Sequence, residues 1–279
     1  MNERRKLCRT FKNNKTAVVG AVIALVVLLT AVFAFLISPY DPIDMDVFHR
    51  LTPPERSHPL GTDEYGRDVL SRIIWGTQIS LTVGFFSVLL GMIMGTAMGV
   101  VAGYTGGKTD TLIMRMVDVL LSFPTLITAI MIAAILGSGL VKLIITIGIV
   151  FAPRFARLTY GPTLAVKEME YVHAAKVIGA SSFRIIIWHI LPNIFGEVMV
   201  AGTLWMGTAI MTEASLSFLG LGVSPPTPTW GNLIRSGIDV LANAPWLSLF
   251  PGLSILITVL AFNMIGDGLR DIADPKLRA

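Results

Sequence analysis

The 279-residue sequence is 53% hydrophobic and only 14% charged, with a mean hydropathy of +0.71. Soluble globular domains carry about 25% charged residues, so the composition excludes an ordinary soluble protein and indicates a membrane protein. The net charge of +4 does not indicate a nucleic-acid binder, because the basic residues cluster at the ends of apolar segments. The single cysteine, Cys8, excludes an internal disulfide and a cysteine-based metal site.

The first apolar segment follows a basic stretch and runs from Ala17 to Ile37. It is longer than the core of a cleaved signal peptide, which has about 7–15 residues, and no small-x-small cleavage site follows it. As a helix it would extend about 31 Å, which matches one hydrocarbon core. We therefore predict a retained transmembrane helix.

Six apolar segments are long enough to cross a bilayer as helices, and a β-sheet is excluded because open sheet edges cannot be satisfied in lipid. Of the 22 lysines and arginines, sixteen lie on the side that would hold both termini. Cytoplasmic loops carry the excess of these residues, so the sequence predicts an all-α membrane protein with a cytoplasmic N-terminus (1–16) and a cytoplasmic tail (268–279). The predicted spans are 17–38, 79–103, 111–136, 139–160, 194–220 and 247–267.

Two longer connections fall on the extracytoplasmic side in this topology. Segment 39–78 is polar at first, and its part Asp68–Trp75 has apolar residues at helical spacing, which predicts a short helix lying in the membrane interface. Segment 222–246 is rich in proline near its start, which predicts an irregular loop. Its Trp230 and Trp246 are of a type that favours the headgroup region.

Several predicted spans contain glycines or prolines that affect how their helices pack or bend. Gly91, Gly95 and Gly99 recur every four residues and predict a close approach of two helices, within the chain by default or with another subunit. Pro124 and Pro153 are expected to kink their helices, because proline removes a backbone donor.

The cytoplasmic segment 161–193 is far longer than the usual helix–helix connection of about 2–8 residues. Its pattern predicts a first short helix that stops at Gly179, a second one capped by Ser181, and an end at Pro192 before the fifth span. Two interpretations fit this pattern: a helix that lies on the lipid headgroups, or a docking element for a cytoplasmic partner.

The run 171–181, followed by 190–193, resembles the cytoplasmic "EAA" loop of ATP-binding-cassette importer permeases. The resemblance implies that this coupling loop seats in a groove of a separate ATPase subunit and transmits its closure. His173 stands where the family usually has glutamate, and His189 where it often has isoleucine. The residues assigned to the coupling loop in this way are Glu170, Tyr171, His173, Ala174, Ala175, Gly179, Ala180, Ser181, Leu191 and Pro192.

Three further stretches, 58–68, 213–222 and 266–275, narrow the resemblance to the dipeptide/oligopeptide/nickel permease group, in its shorter permease type. This implies a complex with a second permease, one or two ATP-binding subunits and an extracytoplasmic substrate-binding protein in a bacterial or archaeal plasma membrane. ATP and Mg²⁺ would bind to the ATPase subunits, and no cofactor to this chain. Peptides are the favoured cargo, with nickel chelates or glutathione as alternatives.

Catalysis by this chain is not expected. Residues 102–109 match a phosphate loop only loosely and form a short turn between spans, with no room for a nucleotide domain. The acids within the spans, Asp118 and Glu213, should face the bundle or a wet cavity. Each could line a translocation path or gate, or be a structural carboxyl, satisfied for Glu213 by Thr212 or Ser215.

The sequence leaves two other functional classes of membrane protein open. An ion-coupled secondary carrier would also suit acids inside the membrane, but it would be expected to show internal repeat symmetry, and none is apparent in the sequence. A membrane scaffold without a transport role is the third reading. An intramembrane hydrolase based on histidine is excluded, because all four histidines lie outside the predicted spans.

Overall fold

The computed structural model describes residues 14–273. Within this range the regular secondary structure consists of helices, without a β-strand. The basic stretch 1–13 and the end of the predicted tail, 274–279, lie outside the described residues. A 3-10 turn at Val47–His49 and a π-helical turn at Ile186–Ile190 accompany the α-helices. These helices are α1 (Lys15–Val32), α2 (Ala34–Ile37), α3 (Val69–Thr105), α4 (Gly107–Ser122), α5 (Thr125–Leu136), α6 (Leu140–Lys167), α7 (Glu170–Val177), α8 (Ser182–Ile185), α9 (Leu191–Phe218), α10 (Trp230–Ile238) and α11 (Trp246–Ala273).

Helix α1 packs mainly against α11, so the first and last helices are neighbours. The side chain of Asn14 caps α1 by accepting a hydrogen bond from the Ala17 amide at 3.1 Å, and its amide group donates to Asp271 at 3.0 Å. Gly20 permits the close approach, because a Cβ at this position would lie 2.6 Å from the Cβ of Met264.

The most extensive helix–helix contact among the described residues is that of α3 with α6, in agreement with the glycine pattern. Gly91, Gly95 and Gly99 are all buried in this contact, and a Cβ on Gly95 would overlap the carbonyl oxygen of Ala152. The default interpretation, packing within the chain, is therefore confirmed.

The predicted interfacial helix at 68–75 is wrong. These residues form the first turns of α3, a continuous helix of 37 residues, and the side chains of Arg72, Ile73 and Ile74 are buried. The reason is that the preceding segment folds over them: Arg72 donates a hydrogen bond to the carbonyl of Pro42 at 2.9 Å.

The predicted third span, 111–136, is two helices that meet at an angle of 99°. The break lies at Phe123 and Pro124, where Phe123 is extended (φ −89°, ψ 143°). Proline disfavours the helical region for the residue before it and cannot donate to the preceding turn. Pro124 thus produces a break rather than a kink, whereas α6 is continuous through Pro153.

Segment 222–246 is not wholly irregular, because it contains α10. Trp230 opens this helix but does not lie among headgroups: it is 1% exposed, and its indole N–H donates to the carbonyl of Ile73 at 3.2 Å. The indole of Trp246 donates to the carbonyl of Thr62 at the same distance. Both tryptophans therefore join the two long connections to each other.

Four helices in the described range are long and apolar enough to cross a membrane: α1, α3, the helix from Ser182 to Phe218, and α11. The bent pair α4–α5 makes a fifth when it is counted as one span. The fold is therefore that of an all-helical protein with several membrane spans. The predicted fourth span corresponds to α6, which is 28 residues long and carries Lys142, Arg154 and Arg157.

Candidate functional site

The coupling loop begins where α6 ends at Lys167 and continues into the short helix α7. The stripe that holds α7 against the bundle consists of Val172 and Ala175, which are 0% and 6% exposed. Gly179 follows the helix with φ +85°, a left-handed conformation that side chains disfavour, and its amide donates to the carbonyl of Lys176 at 3.0 Å. The predicted glycine stop is confirmed.

The second half of the loop differs from the prediction. Ser181 caps α8, since its hydroxyl accepts from the Arg184 amide at 3.4 Å. Pro192 does not end this helix, because α8 continues through the π-helical turn into α9 as one helix from Ser182 to Phe218. Pro192 directly follows the π-helical turn Ile186–Ile190, where the regular ladder of helical hydrogen bonds is already interrupted, so the missing backbone donor of proline is accommodated there. The coupling loop is thus covalently and helically continuous with a membrane-spanning helix.

Large apolar side chains project from the loop into the surroundings, and we call them the apolar tip. Two belong to the glycine corner, Val177 and Ile178, and two to the start of the second helix, Phe183 and Trp188. Their exposed fractions range from 72% to 87%. These residues were not predicted, because the helical spacing of the segment points to the buried stripe instead. Their signal in the sequence was the apolar pair Val177 and Ile178 directly before the glycine.

Polar side chains surround the tip. The imidazole Nε2 of His173 lies 3.4 Å from a carboxylate oxygen of Glu168, and both side chains are exposed. The hydroxyl of Tyr171 accepts a hydrogen bond from Asn193 at 3.0 Å, which ties the two halves of the loop together. Of the other predicted loop residues, Ala175 is buried, Ala180 and Leu191 are half-buried, and Glu170, Ala174, Gly179, Ser181 and Pro192 are exposed.

Glu213 is fully buried in α9. Its carboxylate accepts hydrogen bonds from the hydroxyls of Ser80 at 2.8 Å and Ser217 at 2.7 Å. Thr212 and Ser215 instead donate to backbone carbonyls of their own helix. The structure therefore favours a structural carboxyl that links α3 to α9, with partners that the sequence did not suggest.

Asp118 lies in a polar seam between the bent pair α4–α5 and helix α6. It forms an ion pair with Arg157, and the two side chains are 45% and 50% exposed. Toward the end of the seam near the loop, Tyr160 donates to Asp110 at 2.8 Å. The seam consists of Asp110, Asp118 and Thr125 on one side and Arg154, Arg157 and Tyr160 on the other.

The polar seam is unlike the lipid-facing surface of the other helices. A charged side chain at the centre of a bilayer costs at least about 2.5–3.5 kcal/mol on insertion scales. An ion pair that is half exposed within helices of this apolar chain is therefore better placed against water or another protein than against acyl chains. Asp118 thus remains a candidate for lining a translocation path. Glu213 does not, because its side chain is fully buried.

The stretch 58–68 builds a compact turn at the start of α3. The carboxylate of Asp63 accepts from the amides of Tyr65 (2.8 Å) and Arg67 (3.0 Å) and from the Arg67 guanidinium (2.7 Å). Asp68 caps α3 through the Ser71 amide at 2.8 Å and contacts His58 Nδ1 at 2.9 Å. These acids satisfy backbone donors, so their role in this structure is to hold the segment on the helix.

The loose phosphate-loop match at 102–109 has no phosphate-loop geometry. It spans the last turn of α3 and the first turn of α4, with Gly106 and Gly107 between them at φ +69° and +61°. A phosphate loop follows a strand. Within residues 14–273, no group of three or more His, Cys, Asp or Glu side chains is arranged to hold a metal ion.

Comparison with known proteins identifies related sequences over almost the whole chain. A family model described as "Binding-protein-dependent transport system inner membrane component" matches residues 88–279, and one described as "N-terminal TM domain of oligopeptide transport permease C" matches residues 5–54.

Three curated relatives cover both chains nearly completely. The dipeptide transport system permease protein DppC of Alkalihalophilus pseudofirmus is 44% identical over 275 residues, which are 99% of this chain and 90% of the relative. The glutathione transport system permease protein GsiD of Pectobacterium atrosepticum is 43% identical over 276 residues (99% and 92%). The di/tripeptide transport system permease protein DppC of Pseudomonas aeruginosa is 41% identical over 280 residues (98% and 92%).

A solved structure of the MetNI methionine ABC transporter in inward facing conformations has a similar fold. The TM-score is 0.59 at 19% sequence identity, and the match covers 73% of this chain and 97% of that chain.

Proposed function

Because this chain belongs to the family of binding-protein-dependent transport system inner membrane components, we propose that it forms half of the translocation pathway of an importer for dipeptides and oligopeptides. It is a non-catalytic permease subunit of an ATP-binding-cassette importer, as the sequence predicted. Relatives named for dipeptide and di/tripeptide transport support the peptide cargo. Glutathione, a modified tripeptide, is the alternative supported by other relatives.

The proposed topology has six spans with both termini in the cytoplasm of a bacterial or archaeal cell. The spans are α1, α3, the bent pair α4–α5, α6, the helix from Ser182 to Phe218, and α11. The excess of lysine and arginine on the side of the termini supports this orientation. The segments 39–68 and 219–245 then face the binding protein.

The single observation that carries the coupling role is the apolar tip on a loop that is continuous with a long helix. Val177 and Ile178 are 87% and 84% exposed beside a rigid glycine corner. Large exposed apolar side chains with polar neighbours in the same loop are typical of a protein–protein contact. We propose that a cytoplasmic ATPase subunit, which binds ATP and Mg²⁺, holds this tip, and that a second permease completes the pathway.

Substitution at the tip tests the coupling role. In the complex reconstituted with its ATPase subunits, partner permease and binding protein, we expect Ile178→Asp to reduce both copurification of the ATPase and peptide uptake by about tenfold. The reason is that a carboxylate would be buried without a partner in the contact. Ile178→Leu is the matched control and should behave as the wild type. Normal ATPase binding and uptake by the Ile178→Asp complex would show that the tip is not the docking site.

An ion-coupled carrier has little support. Its proton site would have to be Asp118 or Glu213, and the carboxylate of Glu213 is enclosed by two serine hydroxyls. Asp118 is already paired with Arg157. Uptake by this chain without any ATPase subunit would be the result that favours the carrier.

A further inference from the structure

A small cavity lies at the end of the polar seam, where the chain breaks between α4 and α5. Its volume is about 110 Å³, which is enough for a single functional group but not for a whole peptide. Three polar side chains line it, Thr125, Thr128 and Arg154, and the rest of its wall is apolar.

Arg154 has no carboxylate partner among the described residues. Its guanidinium donates to the hydroxyl of Thr125 at 2.6 Å and lies 5.2 Å from the centre of the Phe151 ring. Arg157, one turn further along α6, is instead neutralised by Asp118. The half-buried Arg154 therefore leaves a net positive charge beside the cavity.

A guanidinium without a carboxylate partner is unusual at the position that Arg154 occupies in α6. Arg154 is the fifteenth residue of α6 and lies about 21 Å from the start of that helix. In the proposed topology, where α6 enters the membrane at its start, this depth falls within a hydrocarbon core of about 30 Å. Ionisable residues at such depth are costly and as a rule mark a functional site. A hydroxyl and an aromatic ring do not neutralise the charge, so an anionic group is the ligand that this cavity favours.

We propose that Arg154, assisted by Thr125, binds the C-terminal carboxylate of the peptide as it passes along the polar seam. This inference rests on the proposed function as a peptide permease. A guanidinium binds a carboxylate through two parallel N–H···O hydrogen bonds, and the cavity is large enough to hold a carboxylate group. The remainder of the peptide stays outside the cavity, so the site recognises a feature that all free peptides share and ignores their side chains.

The test compares uptake of dialanine with uptake of dialanine amide, which lacks the carboxylate. The complete complex is reconstituted with wild-type chain, Arg154→Gln, Arg154→Lys or Lys142→Gln. Because every complex uses the same binding protein, the preference of that protein cancels in the ratio of acid to amide uptake between variants. ATP hydrolysis stimulated by the binding protein serves as a measure of assembly and coupling.

We expect Arg154→Gln to lower the acid-to-amide ratio about tenfold while stimulated ATP hydrolysis is retained, since one charged hydrogen-bonded contact is lost. Arg154→Lys should keep only part of the ratio, because it keeps the cation but loses the second parallel hydrogen bond. Lys142→Gln, which removes a cation from the first turn of the same helix, should leave the ratio unchanged.

Three results would overturn the inference. A ratio in Arg154→Gln equal to that of the wild type would show that the carboxylate is not recognised here. An equal loss of uptake for both peptides would assign Arg154 to folding, to a lipid phosphate or to the partner permease. A wild-type complex that assembles but imports neither peptide would contradict the proposed cargo itself, which distinguishes that failure from the first two.

Discussion

Two arginines one turn apart in α6 have different surroundings, although both stand beside the same seam. Arg157 has the carboxylate of Asp118, whereas Arg154 has only a hydroxyl and an aromatic ring. Glu213 is a third case, a carboxylate closed in by two serines. Charge type alone therefore does not identify a transport residue in this chain; the neighbours of each charge decide whether it is compensated.

At the residue scale, Glu213 offers a direct test of a structural role. We expect Glu213→Ala to lower the free energy of unfolding by about 1–3 kcal/mol, because it leaves the buried hydroxyls of Ser80 and Ser217 without their acceptor. Glu213→Gln keeps an acceptor oxygen and should cost less and leave uptake unchanged. Thermal unfolding of the purified complex and an uptake assay provide the measurements. Loss of uptake in Glu213→Gln at normal stability would indicate that the charge itself acts in transport.

At the scale of elements, the pairing of α3 with α6 depends on glycines that lack a Cβ. Gly95 lies directly against the backbone of Ala152, and Gly99 against Thr159. This contact was predictable from the sequence, because a repeat of four places small residues on one helical face. The break at Pro124 was predictable as to its position but not its angle, which depends on how α5 packs on α6.

Gly95→Ala is expected to destabilise the protein by about 1–3 kcal/mol, because the new methyl group overlaps the carbonyl oxygen of Ala152 and forces the helices apart. Gly196→Ala in α9 is the matched control. A Cβ there meets no atom within 4 Å, so this change should be neutral or slightly stabilising. The melting temperatures of the two purified variants measure the difference. Equal stability would mean that α3 and α6 are less tightly packed than described.

At the scale of the whole molecule, the helical class and the glycine stop at Gly179 could be predicted from the sequence, while the packing of the long connections could not. The first turns of α3 resembled an interfacial helix because Leu70, Ile73 and Ile74 recur there at helical spacing beside Arg72. What buries them is a carbonyl of Pro42 and the indole of Trp230, which lie about 30 and more than 150 residues away in the chain. Local periodicity carries no information on such distant partners, and so Trp230 was also assigned to the wrong environment.

The proposed orientation of the molecule can be measured with cysteine labelling, since Cys8 is the single cysteine of the sequence. In a Cys8→Ser background, Phe48→Cys should react with a membrane-impermeant maleimide added outside, because Phe48 is 97% exposed in the proposed extracytoplasmic segment. Lys108→Cys, exposed at the start of α4 on the proposed cytoplasmic side, should react only after the membrane is opened. Labelling of both positions from the same side would contradict the topology.

The continuous helix from Ser182 to Phe218 has a mechanical consequence. Its 37 residues extend about 55 Å, so a tilt of about 5° imposed at one end would displace the other end by about 5 Å. Glu213 lies close to that far end and is bonded to α3. A small rotation imposed on the loop by the proposed ATPase subunit would thus displace the opposite end of the helix by several ångströms.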